Sequence, residues 1–252
     1  MLKVENLTLK FDGLYANNDI TLEVKEGSIT GLIGPNGAGK TTFFNVVSGV
    51  YKPTGGSVIF EGNNITGLEP YKINQLGMTR TYQVINLFKK MTVLENVMVG
   101  MHGQMKQGFF SSMLKTRKER DEEERVREEA FELLDFVNLK SFANDPSNSL
   151  SYGDQRRLEI VRGLASKPKL ILLAEPCAGM NSREKETLNE LLHRIQDRGV
   201  TILIIEHDMK LVMGVTDYIY VLNYGKLLAQ GTPAEVQQNP EDGRPGDAGD
   251  VH

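Results

Sequence analysis

The sequence predicts an α/β fold with an antiparallel β subdomain and an inserted α-helical subdomain. Three observations carry that prediction. The first third alternates apolar and polar residues as strands do. A short apolar run leads through a glycine-rich turn into a helix-compatible stretch, and a charged, helical middle section later gives way to buried strands.

In order along the chain, Leu7, Leu9 and Phe11 alternate, as do Ile20, Leu22 and Val24, which predicts two half-buried strands. Residues 29–33, 34–39 and 40–50 follow as apolar strand, phosphate-sized loop and helix. Residues 57–60 read as a further strand, entered through Gly55-Gly56. Over 93–139 the character is mainly helical, with alternating charges at 115–129 and an apolar stripe of Phe131, Leu134 and Val137. The charge run reads as a solvated helix face, with a docking surface for a partner as the alternative. Strands return at 170–173 and 201–205 on either side of a helix near 183–196. Residues 218–222 and 226–229 flank a hairpin signal, Asn223-Tyr224-Gly225. From Asn239 the chain is rich in Pro, Gly and Asp and reads as frayed.

The 252 residues are enough to bury a substantial core, and 40% hydrophobic with 25% charged residues excludes wholesale disorder. A net charge of -4 argues against a nucleic-acid partner held by phosphate contacts. The single cysteine, Cys177, excludes an internal disulfide and a multi-cysteine metal site. Met1 opens on a strand-like segment and not on a signal peptide, and no apolar run is long enough to span a bilayer. A membrane role would therefore pass through a partner protein.

Gly34-Pro35-Asn36-Gly37-Ala38-Gly39-Lys40-Thr41 fits the pattern G-x-x-x-x-G-K-[ST] at every position. Glycines let successive backbone N–H groups turn toward one anion, and the helix starting near Lys40 adds its positive end. Lys40 reaches β- and γ-phosphates, the Thr41 hydroxyl ligates Mg²⁺, and Thr42 joins the binding set beside it. A chance glycine turn is the alternative, and the strand before and helix after argue against it. The core expected is of the P-loop NTPase (RecA-like) kind.

Leu150-Ser151-Tyr152-Gly153-Asp154-Gln155-Arg156-Arg157 resembles the signature motif of ABC ATPases, usually written LSGGQ. Tyr152 replaces the first glycine and Asp154 stands before Gln155. Ser151 alone would read as a helix cap. In the family, however, Ser151 and Gly153 open a helix whose N–H groups meet the γ-phosphate held by the opposite subunit. The resemblance implies roles for four more positions. Phe11 stacks on adenine, with a core strand residue as the alternative. Gln83, in Arg80-Thr81-Tyr82-Gln83, senses Mg²⁺ and the attacking water. Glu175 polarises that water, and His207, in Ile205-Glu206-His207-Asp208, contacts the γ-phosphate. Ala178-Gly179-Met180-Asn181 falls in the loop that crosses the dimer interface.

One position departs from the family. The strand leading to Glu175 normally ends in an aspartate that anchors Mg²⁺, and here Ala174 stands there. A methyl group cannot coordinate a cation, so the metal set is reduced to Thr41 and Gln83 with phosphate oxygens and solvent. Either hydrolysis persists at lowered turnover, or the chain is a hydrolysis-impaired nucleotide-dependent scaffold.

Thr79-Arg80-Thr81-Tyr82-Gln83, Met91-Thr92-Val93-Leu94-Glu95-Asn96-Val97, the long insertion near His102 and Glu206-His207-Asp208-Met209-Lys210-Leu211-Val212-Met213 look like the ATP-binding subunits of branched-chain amino acid importers. That resemblance implies one ABC ATP-binding domain over 1–240, with a helical subdomain at about 84–158 and a flexible tail at 241–252. It implies ATP and Mg²⁺ as cofactors, a second ATPase subunit, transmembrane permease subunits and, indirectly, a substrate-binding protein as partners. The expected location is the cytoplasmic face of the inner membrane. A soluble ABC ATPase not tied to transport is the rival reading; such proteins usually carry long coiled coils or two fused cassettes, and this chain has neither.

Overall fold

The computed structural model describes residues 1–101 and 117–238; the insertion around His102 and the tail from Asn239 lie outside the described residues. Along the chain, β1 (Leu2–Phe11) and β2 (Leu14–Val24) form a hairpin, and β3 (Ile29–Ile33) leads into α1 (Lys40–Val47). Then come β4 (Gly55–Phe60), β5 (Asn63–Asn64), α2 (Pro70–Gln75) and β6 (Met78–Arg80). The helical section holds α3 (Val93–Met101), α4 (Arg117–Phe136) and α5 (Tyr152–Leu164). The chain continues with β7 (Leu170–Ala174), α6 (Ser182–Asp197), β8 (Thr201–Ile205) and α7 (Met209–Val215). It ends with β9 (Tyr218–Asn223), β10 (Lys226–Gly231) and α8 (Pro233–Gln238).

Two sheets result. An antiparallel one has the order β2-β1-β4-β5, and a six-stranded one the order β10-β9-β3-β8-β7-β6. In the larger sheet β6, β7, β8, β3 and β9 run parallel and only β10 is antiparallel. Every residue of β3, β7 and β8 is buried, because a parallel sheet is covered on both faces. Alternation then divides each strand between two cores. Ile171, Leu173, Ile202 and Ile204 face the helical side, while Leu170, Leu172, Leu203 and Ile205 face α1 and the antiparallel sheet. The α/β core with its antiparallel and helical parts is thus as the sequence predicts.

Two local expectations are corrected. The helix predicted to run to residue 50 stops at Val47: the Ser48 hydroxyl turns back to the Phe44 carbonyl, and Gly49 takes a φ of 79° where a side chain would meet the Leu68 carbonyl. The alternation of Leu7, Leu9 and Phe11 holds for the two leucines, but Phe11 is 45% exposed at the strand's end. β1 also begins earlier, with Leu2 and Val4 buried; a register shift at the left-handed Asn6 moves the inward phase from even to odd positions. The hairpin signal is realised as β9 and β10, with Tyr224 and Gly225 both at positive φ.

Of the predicted stripe, Leu134 and Val137, just past the end of α4, are buried but Phe131 is only half-buried; Val126 and Ala130 complete the buried stripe at helical spacing, and from Asp121 to Glu129 only Val126 is buried. The Phe136 ring at the end of α4 is covered by the guanidinium groups of Arg194 in α6 and Arg198 just past its end. Deeper in, Arg156 of α5 is fully buried. Its Nη1 donates to the Tyr82 carbonyl at 2.8 Å and the Glu159 carboxylate at 2.7 Å, and its Nη2 donates to the Gln83 carbonyl at 2.7 Å. Burial pushes the Glu159 carboxyl above its ordinary value, and the Arg156 charge opposes that shift.

Removing one member of such a pair strands the other without compensation. Arg156→Ala is expected to lower the unfolding free energy by about 3–5 kcal/mol. Arg156→Lys should recover less than half of that, since an ammonium lacks the planar fork that serves all three acceptors. Urea denaturation at unchanged m-value checks both, and a Lys variant as stable as the parent would show that charge alone suffices.

Candidate functional site

The loop after β3 is shaped by what its glycines lack. At Gly34, with φ 146°, a Cβ would lie 2.1 Å from the Leu222 carbonyl oxygen; at Gly39, with φ 96°, it would lie 2.3 Å from that of Ala16. The loop backbone is therefore pressed between β9 and β2, where no side chain fits. Its carbonyls are anchored: the Gly225 N–H donates to Ala38 and the buried Asn17 amide donates to Gly39. Pro35, Asn36 and Gly37 form the exposed crest, Ala38 is buried beneath it, and Thr41 and Thr42 begin α1 as exposed and half-buried residues. Lys40 is only 7% exposed and arches over the loop, its Nζ donating to the carbonyls of Gly34 at 2.6 Å and Pro35 at 2.8 Å. Burial lowers its pKa, and the facing Glu175 carboxylate opposes that. An ammonium beside a glycine turn and a helix N-terminus is suited to a polyphosphate.

Glu175 follows β7 with its backbone at φ 47°, a conformation costly for a non-glycine residue. That turn aims the carboxylate at Gln83, whose Nε2 donates to Oε2 at 2.9 Å. The same oxygen lies 3.9 Å from His207 Nδ1. The structure thus brings together Lys40, Gln83, Glu175 and His207, four of the residues expected to share a site. His207 is exposed, but Glu206 before it is fully buried and accepts the N–H groups of Cys177 at 2.8 Å and His207 at 3.1 Å. Burial and the Glu206 charge hold the Cys177 thiol far above its usual range. Glu206 was not singled out from the sequence, since nothing in Ile205-Glu206-His207 distinguishes a buried carboxylate from an exposed one. Ala174 is buried in the same apolar cluster as Ala38 and Phe43. The residues that could offer oxygens to a divalent cation are the Thr41 hydroxyl and the Gln83 side chain, a sparse set that suits a hard cation only if phosphate oxygens and solvent complete it.

Ser151 and Gly153 line a cleft separate from this group, and Phe11 lies at the end of β1. Ser151 caps α5, accepting the Asp154 N–H at 3.2 Å and donating to the Asp154 carboxylate at 2.7 Å, and Arg157 pairs with that carboxylate. Ser151, Gly153, Asp154, Arg157 and Glu184 line a cleft of about 540 Å³ that includes no phosphate-loop residue. The Phe11 ring makes a T-shaped contact with Tyr51, with centroids 5.6 Å apart, and stays 45% exposed, which disfavours the core reading.

The family model described as ABC transporter matches residues 17–178, more than half of the chain. Among curated proteins, the high-affinity branched-chain amino acid transport ATP-binding protein LivG of Salmonella typhimurium is 46% identical, covering 96% of this chain and 95% of its own. BraF of Pseudomonas aeruginosa, which carries the same description, is 44% identical over 96% and 95%. Among solved structures, MJ1267, an ATP-binding cassette of an ABC transporter, superposes with a TM-score of 0.84 at 32% identity, covering 96% of each chain. The cassette MJ0796, solved as a dimer, gives a TM-score of 0.78 at 27% identity over 92% of this chain and 99% of its own.

The missing carboxylate at Ala174 generates a direct test. Ala174→Asp is expected to raise ATP turnover by up to roughly a hundredfold, about 3 kcal/mol of electrostatic support, and to lower the Mg²⁺ concentration for half-maximal rate. Steady-state phosphate release across a Mg²⁺ titration measures both. An unchanged rate and Mg²⁺ dependence would show that the methyl group costs nothing.

Proposed function

The chain belongs to the ABC transporter ATP-binding family, and from that premise we propose that it hydrolyses ATP to power an importer of branched-chain amino acids. The convergence of Glu175, Gln83 and His207 beside Lys40 carries the hydrolytic part. The full-length similarity to LivG and BraF supports the substrate class.

In this reading ATP lies with adenine on Phe11 and its phosphates on residues 34–42, where loop amides, the start of α1 and Lys40 balance the charge. Glu175 accepts a proton from water as that water attacks the γ-phosphorus; the bond to the β–γ bridging oxygen breaks, leaving ADP and phosphate. Gln83 holds the carboxylate and the water in line, and His207 hydrogen-bonds the γ-phosphate. Magnesium bound at Thr41 and Gln83 would offset charge on the β- and γ-oxygens. Ser151 and Gly153 serve the ATP of a second ATPase subunit, which is why they lie apart from this chain's own loop. Closure of the pair shifts the helical subdomain, whose surface at 83–91, including the exposed Val84 and Phe88, engages a permease subunit at the cytoplasmic face of the membrane. Among the described residues no helix is long and apolar enough to cross a membrane, consistent with a peripheral subunit. Ala174 favours one second reading, a nucleotide-dependent scaffold that binds ATP and releases no phosphate.

Co-expression with its permease and second ATPase subunit, followed by reconstitution in vesicles, separates these readings. ATP-dependent leucine accumulation is expected, and Glu175→Gln should cut hydrolysis by about a hundredfold or more while ATP affinity stays within about twofold. Hydrolysis unaffected by that variant would remove Glu175 as the base. Hydrolysis without uptake of any branched-chain amino acid would remove the substrate assignment alone.

A further inference from the structure

The residue that departs from the usual signature motif is in contact with the loop that follows Glu175. A Cβ built on Gly179 would lie 3.1 Å from Cε1 and 3.4 Å from Cζ of Tyr152, so the tyrosine ring rests on the glycine backbone, itself at φ 76°. One position on, Gly153 is buried against Glu184: a Cβ there would fall 2.7 Å from Glu184 Oε1. Glu184 belongs to the first turn of α6 and forms a reciprocal capping box with Asn181, its Oε2 accepting the Asn181 N–H at 2.9 Å. The start of α5 thus touches both the crest of the 175–181 loop and the residue that caps its exit.

The other end of that loop is tied to the hydrolytic group. The Ala178 N–H donates to the Glu175 carbonyl, and the Cys177 N–H donates to buried Glu206, next to His207. Lys185 of α6 meets Asp208 at 2.6 Å. Glu175 sits in a left-handed conformation, so its carboxylate direction depends on the loop that follows it. A glycine at position 152 would leave Gly179 uncovered and the loop crest without a partner from α5.

We infer that Tyr152 is a positioning residue: its ring on Gly179 carries displacement of the α5 N-terminus into the loop that sets Glu175. This rests on the reading that Ser151 and Gly153 serve a partner's ATP. If so, α5 registers ATP at the partner's site, and Tyr152 relays it to this chain's own. The phenol oxygen is not needed, since the contact is made by ring carbons and the residue is 45% exposed.

The test uses the full chain assembled with its partner subunits, in four variants: Tyr152→Phe, Tyr152→Gly, Gly179→Ala and the double Tyr152→Gly/Gly179→Ala. Tyr152→Phe should keep kcat within about twofold, whereas Tyr152→Gly should lower kcat at least about fivefold with the KM for ATP within about twofold. The two sites should couple: the factor lost on Gly179→Ala should shrink at least about threefold once the ring is gone, because only the left-handed backbone penalty remains. Amide hydrogen exchange at 178–180 should be about tenfold faster in Tyr152→Gly and restored in Tyr152→Phe. Multiplicative rate losses in the double variant, or exchange unchanged by removal of the ring, would overturn the inference. Should the parent bind ATP without hydrolysing it, the hydrolytic reading fails and the exchange measurement still decides this one.

Discussion

One buried guanidinium joins the helical half of this molecule to its nucleotide half. Arg156 projects from α5, and its three hydrogen bonds end on the Tyr82 and Gln83 carbonyls and on Glu159. Inside a protein such bonds are strong when every partner is present and costly when one is missing, so the geometry tolerates little slack. The backbone that presents the Gln83 side chain to Glu175 is consequently fixed by the same helix that Ser151 caps. Neighbouring contacts reinforce this: the Asn86 N–H reaches Glu159, and Arg162 reaches the Asn86 carbonyl. Movement of α5 is therefore movement of Gln83.

The site itself combines forced backbone with sparse side chains. Gly34 and Gly39 allow two strands to close on the phosphate loop, and Glu175 takes a backbone conformation that glycine would favour. A charged residue held there is better explained by where its carboxylate must point than by packing. Beside it, Ala174 contributes only a methyl group to the core. Under the proposed function, the phosphate loop and the capped helix start of one chain serve two different sites, so activity belongs to a pair.

Much of this was legible in the amino-acid order, and the exceptions share a cause. Strands β3, β7 and β8 were readable because burial on both faces leaves continuous apolar runs. The phosphate loop was readable because its residues are contiguous and lie between a strand and a helix. The three-residue β6 and the six-residue α2 and α8 are too short to show a period, and they went unread. So did the early start of β1, where the bulge at Asn6 breaks the alternation. Within the site, Lys40 and Glu175 could be placed by motif. Burial of Glu206, the reach of Arg156 to residues over seventy positions away, and the seat of Tyr152 on Gly179 are tertiary facts with no local signature.

Cys177 has a practical consequence. It is the chain's only cysteine, it is 2% exposed, and its surroundings strongly disfavour the thiolate. Alkylating reagents attack the thiolate and need access to it, so Cys177 is expected to react slowly in the folded protein. Under the proposed function, spectroscopic labels introduced at surface cysteines would follow opening and closing of the pair with Cys177 left in place.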